Sequence, residues 1–358
     1  MTKIQQITHY LENEKLDAAV LSDPVTINYL TGFYSDPHER QMFLFVYPNH
    51  EPLLFVPALE VERASGAVPF SVLGYMDSEN PWQKIKAALP AHSFKTVALE
   101  FDNLILTKYH GLKTVFDSAE FTNLTPYVNR LRLIKSADEI QKMLVAGQYA
   151  DKAVNIGFDN ISLDNTETDI IAQIDFAIKR EGYEMSFETM VLTGNNAANP
   201  HGIPGANKVE NNALLLFDLC CMVNGYASDM TRTVHVGQVT DEEREIYDIV
   251  LRSNQALIEA AKAGLSRIDF DRIPRQIIND AGYGPYFSHG IGHGIGLDIH
   301  EIPYFGKSEE PIEAGMVLTD EPGIYLDGKY GVRIEDDLLI TETGCEVLTL
   351  APKELIVI

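Results

Sequence analysis

Up to about residue 130 the chain alternates short apolar runs with segments of helical spacing. LDAAVLS, MFLFVY, PLLFVP, FSVLGY and TVALEF are runs of aliphatic and aromatic residues too short for helices, and they read as strands. Between them, PWQKIKAALP and TKYHGLKTVF space their apolar residues as helices do. This alternation predicts an α/β domain with a mixed sheet. The segment carries no cluster of potential ligands, so it is expected to act as a scaffold or interface.

The polar segment NRLRLIKSADEI leads into Ser136-x-x-Glu139, a reciprocal helix-capping pattern, with Ile140, Met143, Leu144 and Gly147 at helical spacing. A domain boundary near residue 130 follows, giving domains of residues 1–130 and 131–358. A second helix, ETDIIAQIDFAIKREG, is expected to stop at Gly182. The same order of features then recurs. Thr240-x-x-Glu243 repeats the capping pattern 104 residues after the first and opens EEREIYDIVLRSNQALIEAAKAG, and FDRIPRQIINDAG supplies another helix. Each helix pair precedes an apolar strand ending in an acid, NNALLLFD at Asp218 and EAGMVLTDE at Glu321, 103 residues apart; Asp229 and Glu335 are 106 apart. Matching spacing at low residue identity suggests two halves facing each other across a pseudo-twofold site, with coincidence as the alternative.

Both acidic strands run into turn signals. Asn224-Gly225 between apolar-rich runs is a strong two-residue hairpin signal. It would pair Val223 with Tyr226 and Asp218 with Thr231, making Asp229 a diagonal neighbour of Asp218 at about 7–8 Å. Glu321 and Glu335 are fourteen apart, so they share a face only across an odd-numbered loop. A three-residue Asp-Gly-Lys loop would set them opposite each other; a two-residue loop would put them on opposite faces. Like charges gathered on apolar strands repel unless a cation compensates them. Four carboxylates and one imidazole would suit two divalent ions bridged by oxygen. The imidazole chosen is His293 in HGIGHGIGLDIHEIP, where Gly292 and Gly294 leave room for close backbone approach. His289 and His300 flank it in the same segment, and His201 in NAANPHG adds a further imidazole.

Composition narrows the field. Asp and Glu outnumber Lys and Arg 52 to 28, a net charge of −24 with no basic run, which disfavours nucleic-acid partners. The polar N-terminus MTKIQQITHYLENEKLD and the lack of a long apolar stretch argue against a signal peptide or membrane span, so a cytoplasmic protein is expected. Three cysteines, two of them adjacent, are too few for a disulfide framework and read as reduced thiols.

The ordered series Asp218, Asp229, His293, Glu321 and Glu335, set in GYASDMTRT, GHGIGLDIHE, EPGIY and GVRIED, resembles the pita-bread metallopeptidases. That family includes methionine aminopeptidase, aminopeptidase P and prolidase, and the likeness is greatest to bacterial Xaa-Pro dipeptidases. It covers roughly residues 130–358, while the preceding domain, with PVTINYLTGF, is similar to the creatinase-type N-terminal domain. The resemblance implies an α/β N-terminal domain with a mixed sheet, then an α+β pita-bread catalytic domain with an internal pseudo-twofold repeat. It implies that Asp218 holds one metal, that His293 and Glu321 hold the other, and that Asp229 and Glu335 bridge both. His201, His289 and His300 match positions that contact substrate or stabilise the oxyanion, and Arg333 matches a substrate-side arginine. The two ions per subunit would be Mn²⁺ from the family, with Co²⁺ or Zn²⁺ as alternatives. Two departures are FDLCC, which places Cys220 and Cys221 after the first aspartate, and Gly290 where dipeptidases often carry Arg.

The expected activity is hydrolysis of Xaa-Pro dipeptides, with a metal-bridging hydroxide as nucleophile and Glu321 relaying its proton to the leaving proline nitrogen. Aminopeptidase P acting on longer peptides and a non-catalytic binding protein on the same fold are the alternatives. Activity is expected to fall below about pH 6 as His293 and the carboxylates take up protons. In GFYSDPHERQ, residues 32–41, His38 and Arg40 stand on a polar loop. The family's homodimers bring this domain to the partner's active site, where Arg40 or His38 could hold the dipeptide's free carboxylate.

Overall fold

The computed structural model describes residues 1–91 and 93–358, and the chain divides into two compact units, Met1–Leu131 and Arg132–Ile358. The first unit runs α1 (Lys3–Glu14), β1 (Ala18–Leu21), α2 (Pro24–Thr31), β2 (Phe43–Val46), β3 (Leu53–Pro57), α3 (Val61–Ala67), β4 (Ser71–Tyr75), α4 (Pro81–Ala88), β5 (Thr96–Leu99), α5 (Leu106–Val115) and β6 (Glu120–Asn123), and α6 (Thr125–Leu133) carries the chain through the boundary. Its sheet has the order β4-β3-β2-β1-β5-β6. It is mixed: β1 pairs antiparallel with β2 and parallel with β5. Ala19, Leu21, Leu44 and Val46 pack on one face, with Ile7, Leu11 and Ile27 from helices; Ala18, Val20, Phe43 and Phe45 pack on the other, with Ile85 and Leu112. Burial on both faces explains why these strands read as unbroken apolar runs. The edge strand β6, EFTN, offers too little apolar character to be recognised from sequence, and α2 is defined by Asp23, whose carboxylate caps Thr26 N–H at 2.9 Å.

The second unit opens with α7 (Ala137–Asp159) and α8 (Glu167–Arg180), followed by β7 (Glu184–Met185), β8 (Met190–Thr193), β9 (Ala213–Leu219), β10 (Cys221–Val223), β11 (Tyr226–Ala227) and β12 (Met230–Val236). A second helix pair, α9 (Asp241–Ala260) and α10 (Arg267–Asp280), precedes β13 (His293–Gly294), β14 (Glu301–Tyr304), β15 (Val317–Asp320), β16 (Gly323–Leu326), β17 (Tyr330–Arg333), β18 (Asp336–Ile340) and β19 (Cys345–Val347). Ser136/Glu139 and Thr240/Glu243 form complete capping boxes at the starts of α7 and α9. Each helix pair covers its own half's strands: Val154, Ile170 and Ile174 lie with Leu215 and Phe217, and Ile246, Val250 and Phe270 with Leu318 and Leu338. The halves also share a small backbone device. Thr166 bridges to Lys208, and the corresponding Ser266 bridges to Pro311. No helix among the described residues is long and apolar enough to cross a membrane.

Candidate metal centre

The two hairpins place the four carboxylates. Asn224 and Gly225, at φ 51° and 81°, form the tight turn; Val223 pairs with Tyr226 and Asp218 with Thr231. Between the two ladders the pairing breaks at Cys220 and Asp229. There the Asp229 N–H donates instead to Asp337 Oδ2 at 2.9 Å, which fixes the backbone that carries its carboxylate. In the second hairpin Asp327-Gly328-Lys329 is a three-residue loop closed by Leu326 opposite Tyr330, with Gly328 at φ 75°. The pairs on either side of the acids, Asp320 with Asp336 and Gly323 with Arg333, keep one register, which sets Glu321 opposite Glu335. The hairpins meet where Glu335 N–H donates to Thr231 O at 3.0 Å and Thr231 Oγ1 donates to Glu335 Oε2 at 2.7 Å.

His293 enters from β13 on a backbone that tolerates no side chains beside it. A Cβ at Gly292 would stand 2.3 Å from Thr319 O, and one at Gly294 2.2 Å from Ile302 O. The His293 Nδ1 lies 3.1 Å from Gly294 O, an acceptor, so that nitrogen carries the proton and Nε2 presents a lone pair. Nε2 is 3.6 Å from Glu321 Oε1 and 3.8 Å from Asp229 Oδ2. Asp229, His293 and Glu335 each offer a ligand atom within 4.8 Å of the others.

This arrangement is electrostatically unsatisfied by protein alone. Burial, then the Glu335 and Asp218 charges, hold the Asp229 carboxyl well above its ordinary range; burial and Glu335 do the same to Glu321. Burial and Asp218 push Glu335 up to about 7. Burial, with His300 beside it, brings His293 down to about 4. Asp218 is raised by burial too, although Arg333 opposes that shift. The Oδ1 atoms of Asp218 and Asp229 are buried with no hydrogen-bond partner. Orphaned buried carboxylate oxygens in a cluster that also presents a neutral imidazole lone pair fit divalent cations, whose charge would compensate the repulsion.

A cavity of about 950 Å³ collects these side chains with His201, His289, His300 and Arg333, between Phe187, Met190, Ile299, Tyr304 and Phe305. His289 Nε2 is 2.9 Å from Tyr325 Oη, and Arg333 Nη1 donates to the same oxygen at 2.9 Å. Arg333 also donates to Thr231 Oγ1 at 2.9 Å and pairs with Asp218. Burial and then Arg333 bring His289 down to about 4. The His300 ring stands edge-on to His293 with centroids 4.1 Å apart, on a turn held where Glu301 accepts Leu297 N–H at 2.8 Å and pairs with Arg132 at 2.6 Å. Tyr325 and Asp337 were not singled out from the sequence, and Thr231 only as the residue opposite Asp218; EPGIY contains the tyrosine, but its role depends on which residues the fold brings to its hydroxyl.

His38 and Arg40 lie on the first unit's polar loop and are not among the cavity-lining residues. Arg40 makes a two-pronged pair with Asp77, both contacts at 2.9 Å, and His38 lies 3.3 Å from Asp36. Of the two thiols after Asp218, Cys220 Sγ lies 2.5 Å from Ser186 Oγ and is raised well above its usual range by burial and then Asp229; Cys221 packs in the α7/α8 core.

His293→Ala is expected to lower metal content per folded chain together with turnover. His235, fully buried 3.3 Å from Glu243, offers the contrast. Its alanine variant should lose about 1–3 kcal/mol of stability while turnover per folded molecule stays normal. Metal analysis, thermal melts and kcat on both variants check this; equal loss of metal from the two would remove His293 from the centre.

Comparison with known proteins matches residues 141–342 to metallopeptidase family M24 and residues 3–134 to the creatinase/prolidase N-terminal domain. The chain is 44% identical to the Xaa-Pro dipeptidase of Lactobacillus helveticus, over 100% of this chain and 98% of that one. The solved prolidase from Pyrococcus horikoshii matches with a TM-score of 0.92 at 32% identity over 99% of both chains. The X-Pro aminopeptidase from Thermotoga maritima matches at 0.89 and 29%, over 98% of this chain and 100% of that one.

Proposed function

Because this chain belongs to metallopeptidase family M24, with a creatinase/prolidase N-terminal domain, we propose that it is a metal-dependent dipeptidase that hydrolyses the Xaa-Pro bond. The observation that carries this reading is full-length likeness to a Xaa-Pro dipeptidase in a chain whose buried acids and imidazoles converge on one cavity. Proline's tertiary amide has no N–H and a fixed φ, so enzymes that grip extended backbone handle it poorly and a dedicated site is needed.

In this reading Asp218, Asp229, His293, Glu321 and Glu335 would hold the divalent ions. When bound, the ions supply an activated water and a Lewis acid for the scissile carbonyl. Glu321 Oε1 lies 3.6 Å from His293 Nε2, and Oε2, 3.8 Å from His289 Nδ1, would take the proton from the attacking water and deliver it to the proline nitrogen, which must be protonated to leave. His201 and His300 donate to the developing oxyanion. Arg333, fixed by Asp218, Thr231 and Tyr325, sets the orientation of His289 through the shared Tyr325 hydroxyl, and both contact substrate. The ions are Mn²⁺ by family resemblance; the oxygen-rich set with one imidazole also accepts Co²⁺ or Zn²⁺. Assay of the purified chain with each metal against Xaa-Pro, Xaa-Pro-Xaa and Met-Xaa tests the reading. Failure to cleave Xaa-Pro with any of the three metals would overturn it, and faster cleavage of the tripeptide would favour the aminopeptidase activity of the Thermotoga relative.

We further propose a cytoplasmic homodimer in which Arg40 and His38 reach the partner's site and hold the substrate's free carboxylate. Losing one charge-assisted hydrogen bond of about 1.5–3 kcal/mol, Arg40→Ala should raise KM for dipeptides roughly 10–100-fold and admit tripeptides, with metal content unchanged. Unaltered kinetics for both lengths would confine the Arg40–Asp77 pair to shaping the loop.

A further inference from the structure

His201 stands on the exposed connection between β8 and β9, where flexibility would be the default for a residue that must meet a substrate oxygen. This connection is pinned from beneath by one carboxylate. Glu167, the first residue of α8, is fully buried. Its Oε1 accepts Thr193 N–H at 2.8 Å and Asn196 Nδ2 at 2.9 Å; its Oε2 accepts Gly205 N–H at 2.8 Å, Asn207 Nδ2 at 3.1 Å and Asn196 Nδ2 at 3.1 Å. The donors therefore come from both sides of His201 in the chain. Asn196 Nδ2 reaches on to Ile203 O at 3.1 Å, and Asn199 Oδ1 accepts the His201 N–H at 3.0 Å.

The cap of the helix does not require a carboxylate there. Thr166 and Asp169 already complete the capping box of α8. In the other half of the unit the helix start meets the corresponding connection through the same backbone pairs: Arg267 N–H donates to Glu310 O at 3.0 Å and Ile268 N–H to Ser308 O at 3.1 Å, matching Glu167 to Asn207 O at 3.0 Å and Thr168 to Gly205 O at 3.3 Å. The residue at the equivalent position is Arg267, whose side chain turns to Glu310. The five hydrogen bonds to Glu167 are thus an addition confined to the half whose connection carries His201.

We propose that Glu167 is a positioning residue that holds the His201 imidazole in place for the oxyanion; this rests on the role assigned above to His201. A charged acceptor that ties Thr193, Asn196, Gly205 and Asn207 to one point limits the connection's excursions, and displacement of a catalytic group by about 1 Å costs on the order of 10²-fold.

The test is a double-mutant cycle on the metal-loaded full chain. Glu167→Gln keeps the volume but loses an acceptor, so kcat should fall about 10–100-fold while KM for a Xaa-Pro dipeptide and metal content hold. In a His201→Ala background the same substitution should change kcat less than twofold. Should Glu167→Gln not fold, Asn196→Ala and Asn207→Ala remove donors to the same carboxylate and should give smaller losses, again absent without His201. Equal losses in both backgrounds, or an unchanged kcat in Glu167→Gln, would overturn the proposal. A silent His201→Ala alongside a costly Glu167→Gln would instead remove the role of His201 and the inference with it.

Discussion

Asp229→Asn is expected to give a folded protein whose kcat has dropped by about 10³-fold or more, since losses of 10–100-fold already follow from disturbing groups one step removed from a metal. Asp229 sits where the first hairpin's pairing breaks, with its amide held by Asp337, Oδ2 3.8 Å from His293 Nε2 and Oδ1 without a partner. An amide of the same shape keeps the backbone hydrogen bond but loses the charge and one acceptor oxygen. The same substitution should stabilise the metal-free protein, because it removes one of several carboxylates that burial and mutual repulsion hold well above their usual range. Lost activity, reduced metal content and a raised melting temperature of the metal-free form are therefore expected together, read by kinetics, metal analysis and calorimetry. Near-normal turnover at full metal content would exclude Asp229 from the centre.

Stripping the metals should abolish activity and leave a chain whose stability falls as pH rises. The sign follows from Glu335, whose folded value is about 7 against about 4.3 for a free glutamate. Its contribution is fully present below about pH 4 and lost as pH climbs through 7, and the raised Asp229 and Glu321 act in the same direction. Metal binding needs the deprotonated carboxylates, so affinity runs the opposite way. The gap in melting temperature between loaded and stripped protein should therefore widen from pH 5 to pH 8, and excess metal should extend activity to lower pH. A gap that does not change with pH would mean that these carboxylates are not the metal's competitors for protons. The sequence pointed to His293 and the carboxylates together for an acid limb near pH 6; burial and His300 bring that imidazole down to about 4, whereas burial and Asp218 push Glu335 up to about 7, so the larger share is expected from the carboxylates.

Much of the site was legible because its geometry is set by short-range rules. Asn224-Gly225 demands positive φ at both turn residues, and Asp327-Gly328-Lys329 forms an odd-numbered loop, so two local turns fix which acids share a face. The capping boxes at Ser136 and Thr240 mark helix starts by the same kind of local bonding, and Gly292 and Gly294 announce close backbone approach before the partner strands are known. Less visible were features decided by what lies across the fold. The edge strand β6 is stabilised by pairing with β5, since its own sequence is weakly apolar.

By itself, then, the sequence determined the hairpin registers, the spacing of the acids and the likeness to a metallopeptidase, because turn chemistry and side-chain alternation act over a few residues. Tertiary structure alone decided that Tyr325 joins His289 to Arg333, that Arg333 pairs with Asp218, that Asp337 holds the Asp229 amide and that Glu167 gathers both sides of the His201 connection. Those contacts join residues brought together by packing, and the protonation of the buried acids depends on desolvation and neighbouring charge, which exist only once the halves have closed around them.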